Sequence, residues 1–186
     1  MRIIRFIVVA VGVAIATTHI YGADTFVIDS KKSKISFSIK NKPPNAAEFQ
    51  DVAGSFGDFS GEVVFDEADP SKSKVTIEVM TDSVDTENKK RDEHLKNQDF
   101  FKVKEFPKMT FKSTKVVKND EGKYEIEGDF TLLDKTKIVK VIFEPTSENG
   151  GKSSFQIKRS DYGMTYRVPD TADEVDITLM IVGTKK

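Results

Sequence analysis

The chain has 186 residues, with 29 Lys and Arg against 30 Asp and Glu, and it contains no cysteine. Charge this evenly balanced leaves no electrostatic footprint for nucleic acid. The missing cysteines exclude disulfides, thiolate metal sites and a lipid anchor on an N-terminal cysteine, so one domain must be stabilised by its apolar core.

The first residues carry Arg2 and Arg5 and no acid, and they lead into an uncharged apolar run from Phe6 to Ala16. That is the layout of a secretory leader. The run is shorter than the roughly 20 apolar residues a membrane-spanning helix needs, so removal is expected rather than anchoring, with cleavage after Ala23. Residues 1–23 are thus read as a signal peptide and residues 24–186 as the mature domain, periplasmic or secreted. Loss of the two leader arginines leaves 27 basic against 30 acidic residues, a net charge of −3.

From Thr25 onward the pattern is alternation, the mark of strands with one buried face. Ile35, Phe37 and Ile39 alternate with Ser36, Ser38 and Lys40. Val75, Ile77 and Val79 form a second such set, Met109 and Phe111 a third, and Tyr124, Ile126, Phe130 and Leu132 a fourth. Val175, Ile177, Leu179 and Ile181 close the series. Turn signals separate these runs at Pro43–Asn45, Asp69–Pro70, Asn119–Gly122 and Asn149–Gly151. Many short strands at close spacing predict an antiparallel sandwich or barrel.

Two segments depart from alternation. Gly54 and Phe56 share one parity, whereas Phe59, Gly61, Val63 and Phe65 share the other. A one-residue slip exchanges the faces of a strand, so a bulge or bend is expected near Gly57, where glycine would tolerate it. Thr86–Gln98 carries only a thin apolar stripe among Glu87, Arg91, Glu93 and Lys96 and reads as a short helix capped by Asp85 or Thr86. Phe100 and Phe101 follow as anchors of this connection over the barrel.

The order of segments resembles the YceI family. The resemblance is carried by Gly54-Ser55-Phe56 with Phe59 and Gly61, by Ser83 to Thr86, and by Arg91 to Leu95 running on to Asp99-Phe100-Phe101. It continues through Phe106-Pro107, Met109 to Phe111, Gly128 to Thr131, Arg159 to Gly163 and Asp173 to Ile177. It implies an eight-stranded antiparallel lipocalin-like β-barrel with one short helix in a connection. Its interior would hold a polyisoprenoid, a quinone or a similar long-chain lipid. No catalytic residue, metal or cofactor is implied.

On that resemblance Phe37, Ile39, Phe56, Phe65, Phe111, Phe130, Phe143 and Phe155 are candidates for a ligand-binding wall, although an eight-stranded barrel can equally fill itself with side chains. Arg159 has the parity of Phe155 and Ile157 and should point inward, either to a lipid head group, since guanidinium matches phosphate, or to an acid such as Asp161 or Asp92. His94, the sole histidine of the mature chain, lacks a second ligand for a metal. It is read as a structural hydrogen bond tying the helix to a neighbouring loop. Two rival functions remain at this level: a hydrolase or isomerase with paired carboxylates such as Asp92 and Asp161, and a stress or adhesion module with a filled core. The oligomeric state is open, a homodimer being one option.

Overall fold

A computed structural model describes residues 22–147 and 149–186. The expected leader therefore falls almost wholly outside the described residues.

Eleven strand segments form one antiparallel sheet, and their hydrogen-bond order reduces them to the expected barrel. Segments β1 (Asp24–Ile28) and β2 (Lys34–Asn41) both pair with the long last strand β11 (Thr171–Lys185), one after the other along the same edge. Segments β3 (Gln50–Phe56) and β4 (Phe59–Phe65) pair with β2 and β1 respectively. Segments β5 (Lys74–Met80) and β6 (Val84–Asp85) pair with β4 and β3. Each of these three couples is one strand broken in two. With β7 (Lys108–Lys118), β8 (Tyr124–Leu132), β9 (Lys135–Ser147), β10 (Gly150–Lys158) and β11 they give eight staves in up-and-down order, closed by β11 on β1 and β2. Closure removes the edges that an open sheet would expose.

The parity break lies where the glycine pattern placed it, between β3 and β4, so that Phe56 and Phe59 are both buried. The chain bends at Gly57, as expected. Gly57 has no positive φ, and a Cβ there would meet nothing closer than the Ser83 carbonyl at 4.0 Å. Two hydrogen bonds hold the bend: the Gly57 N–H donates to the Ser83 carbonyl at 3.1 Å, and the Met80 N–H to the Asp58 carbonyl at 2.9 Å. A second register shift, between Ser113 and Lys115 of β7, moves the inward set from Met109 and Phe111 to Val116.

The connection from β6 to β7 holds the single α-helix among the described residues, α1 (Lys89–Leu95). It is shorter than the sequence pattern indicated, and its cap is neither Asp85 nor Thr86. Asn88 caps it, accepting from the Arg91 N–H at 3.1 Å. Thr86 is held instead by Asp92, whose Oδ1 accepts from the Thr86 N–H at 2.9 Å and from its hydroxyl at 2.5 Å. Phe101 docks edge-on to Phe56 with centroids 5.7 Å apart, so this connection is anchored over the barrel as Phe100 and Phe101 suggested.

At this end, called the α end, the ladder is incomplete. Past Met80 the β5/β6 stave turns away from β7, and β6 pairs only with β3. The slit is knitted by wholly buried Thr81, whose N–H donates to the Pro107 carbonyl and whose hydroxyl donates to the Phe106 carbonyl, both at 2.9 Å. The two-residue Leu133–Asp134 turn joins β8 to β9 at this end, while the opposite, turn end carries Asn119–Gly122 and the connection from β9 to β10, and in the first of these the Asn119 side chain accepts from the Glu121 and Lys123 N–H groups. Outward faces carry exposed pairs such as Lys108–Glu78 and Lys140–Glu127, which keep the surface hydrated and add little stability.

Candidate functional site

The inward residues of the eight staves enclose a cavity of about 750 Å³, within the ordinary range for small-molecule sites. It runs from the α end, where Leu95, Phe100 and Tyr166 line it, to the turn end, where Asn149 and Lys185 do. The structure places all eight expected wall residues on this lining: Phe37 and Ile39 from β2, Phe56 from β3, Phe65 from β4, Phe111 from β7, Phe130 from β8, Phe143 from β9 and Phe155 from β10. Aromatic contacts help fix their orientation, Phe37 tilted against Phe56 with centroids 5.6 Å apart and Phe130 edge-on to Tyr162 at 5.5 Å.

The interior stays open for a reason visible in the glycines. Gly54, Gly128 and Gly151 face inward beside Phe37, Phe111 and Phe143, and a Cβ at any of the three would overlap the adjoining ring. Each ring therefore lies against bare backbone on a nearby strand rather than projecting into the lumen.

Arg159 also lines the cavity, at the α end, and is 1% exposed. Its partners are not the acids the sequence suggested. Nε donates to the Ala172 carbonyl at 2.8 Å, Nη1 to Met164 at 3.0 Å, and Nη2 to Tyr166 and Thr171 at 2.9 Å each. One guanidinium thus ties the 163–170 loop to the start of β11. Burial lowers its pKa, and the nearby Asp173 carboxylate works against that. Burial also opposes ionisation of Asp173, but the Ser160 hydroxyl and N–H, donating at 2.6 and 2.9 Å, and the Arg159 charge outweigh it, so its pKa is lowered.

His94 also fits the structural role: Nε2 lies 2.9 Å from Asp99 Oδ2 in the loop after α1. The ring meets Phe100 and Tyr166 edge-on, with centroids 5.1 and 5.4 Å away, and all three line the α end. Asp92 serves Thr86, and neither Asp92 nor Asp161 lines the cavity. Among the described residues no group of three or more His, Asp or Glu could hold a metal. The site residues that the sequence reading missed are Arg91, Tyr166 and Arg167, which line the α end from α1 and from the 163–170 loop. Tyr166 and Arg167 lie in a loop, which carries no periodicity, and the thin apolar stripe of α1 did not mark Arg91 as facing the lumen.

Tyr162, 2% exposed beneath this loop, gives a pH test of its packing. Burial, with a smaller effect from Asp161, raises its phenol from 10.0 to about 12. A raised folded pKa means that its contribution is complete below the unfolded pKa and is lost as pH rises through the folded one. Stability should therefore fall between about pH 10 and pH 12. A spectrophotometric titration should show one tyrosinate appearing late, and Tyr162→Phe should remove that step; a normal titration of every tyrosine would show that the ring is hydrated.

The sequence pattern that defines the YceI-like domain matches residues 26–182. A UPF0312 protein of Yersinia enterocolitica is 37% identical over 141 residues, covering 71% of this chain and 73% of that one. Burkholderia cenocepacia BcnA has a similar crystal structure, with TM-score 0.73 and 25% identity over 84% of this chain and 99% of that one. The Campylobacter jejuni YCEI protein aligns with TM-score 0.64 and 28% identity over 77% and 90%. A polyisoprenoid binding domain from Saccharophagus degradans shares the fold, with TM-score 0.64 at 12% identity over 87% and 98%.

Proposed function

The chain belongs to the YceI family of hydrophobic-ligand-binding barrels, and from that premise we propose that it is an exported carrier of a polyisoprenoid, a quinone or a similar long-chain lipid. The observation that carries this is the continuous apolar lumen from the α end to the turn end. A cavity of about 750 Å³ is large enough for one long unbranched or isoprenoid tail. Each methylene buried there is favoured by about 0.8 kcal/mol, so one tail of this size is ample for tight retention. A filled-core module fits such a volume poorly. Hydrolysis by Asp92 and Asp161 has no support in a lining that includes neither. Export to the periplasm or medium rests on the leader pattern of residues 1–23.

Protein purified without detergent and extracted with organic solvent should release about one lipid per chain, identified by mass spectrometry. A barrel that releases no lipid and takes up none of an added isoprenoid quinone would overturn the carrier reading.

A further inference from the structure

The charged groups that line the lumen are sorted by end. At the α end they are Arg91, Arg159 and Arg167, with His94 beside them, and no described acid lines that end. At the turn end they are Asp24, Glu67 and Lys185, of which Asp24 and Lys185 neutralise each other at 2.7 Å. From this polarity we infer that the α end is the seat of an anionic head group, a carboxylate or a phosphate, on a single-chain lipid whose tail runs toward the turn end. This rests on the carrier reading and extends it to the class and direction of the ligand.

Arg91 is the residue on which the assignment turns. Its Nε donates to the Thr86 hydroxyl and its Nη2 to the Thr86 carbonyl, both at 2.8 Å. Thr86 is itself fixed by Asp92. The guanidinium is thus held in one orientation by neutral groups, with Nη1 uncommitted, and among the described residues no carboxylate lies within 4.0 Å of it. The acids nearby are engaged elsewhere: Asp92 with Thr86, Asp99 with His94 and Asp173 with Ser160. Arg167 has only a long 3.7 Å contact with Asp170 and donates to the Lys42 carbonyl at 3.2 Å. Arg159 is committed to carbonyls through four of its five N–H groups and adds its charge from behind. Arg91, a cation with no carboxylate close to it at the mouth of an apolar cavity, favours an anion, because guanidinium forks match carboxylate and phosphate oxygens and the apolar wall weakens screening.

The test compares a lipid acid with its neutral ester. The full-length protein, its resident lipid exchanged on a hydrophobic resin, is titrated with cis-parinaric acid and with methyl cis-parinarate by fluorescence. The acid should bind about tenfold tighter than the ester at low salt. Arg91→Gln should cut that preference to about threefold or less while ester affinity holds, and Arg91→Lys should restore part of it. Arg167→Gln, on a different element, should lower the preference independently of any loosening of α1. Lys140→Gln, on a side chain 81% exposed on the outer wall, should leave both affinities unchanged. Equal binding of acid and ester by the unaltered protein, or a parallel loss of both in Arg91→Gln, overturns the head-group assignment alone. Binding of neither probe overturns the carrier reading and this assignment with it.

Discussion

Phe130→Glu should empty the barrel, while Thr131→Glu, one residue along the same strand, should leave it loaded. Phe130 is 7% exposed, packed edge-on to Tyr162 and Phe155 and facing the lumen. A carboxylate there must either protonate or bear an uncompensated desolvation cost of several kcal/mol. Thr131 faces outward, its hydroxyl 2.8 Å from that of Thr136 in an exposed pair, and surface changes usually stay within about 0.5 kcal/mol. Phe130→Ala refines the comparison. In a solid core it would cost about 3–5 kcal/mol. Beside an existing cavity it should cost less and shift the retained lipids toward bulkier or longer chains. Melting and bound-lipid profiles of the three variants check this: equal damage from Glu at 130 and 131 would refute the facing, and severe unfolding of Phe130→Ala with no change in lipid would refute the lumen.

Arg159→Met should be the most damaging single change at the α end. It removes a guanidinium that satisfies four carbonyls and leaves those of Met164, Tyr166, Thr171 and Ala172 without that donor. Each buried orphan costs about 1–3 kcal/mol. Part of this is offset because the buried charge no longer has to be desolvated. A net loss of about 3–5 kcal/mol follows, about 6–20 °C in melting temperature for a domain of this size. The 163–170 loop should become a site of tryptic cleavage at Arg167. Arg159→Lys keeps the charge but not the fork and should rescue little. An unchanged melting temperature would mean that the loop is held by something other than this side chain.

The two substitutions also mark where the sequence was legible. Period-2 alternation shows which residues share a face, so Phe130 and Thr131 were separable without coordinates, as was the exchange of faces around Gly57. Arg159 was readable only in direction. Its inward parity was clear, but its partners are backbone carbonyls of a loop, and a carbonyl has no letter in a sequence; a charged side chain invites a search for acids such as Asp161 and Asp92 instead. The same holds for Arg91, Tyr166 and Arg167, which meet at one mouth only because barrel closure brings α1 against the loop before β11. The β7 register shift gave no warning because Ser113, Thr114 and Lys115 are polar on both faces, which leaves register weakly specified.

The unpaired slit beside β6 separates two quantities that a sealed barrel would couple. Through the barrel wall elsewhere a guest could pass only by breaking ladder hydrogen bonds, with much of the fold's cooperativity behind them. At the slit the barrier consists of the Thr81 bonds to Phe106 and Pro107 and the packing of Phe101, which can open locally at a small fraction of the global unfolding free energy. Affinity is then set by how much tail the lumen buries, whereas passage through the slit is set by how often the 86–107 connection lifts. A change at Thr81, which does not line the lumen, should accelerate release and uptake together and leave the equilibrium loading almost where it was.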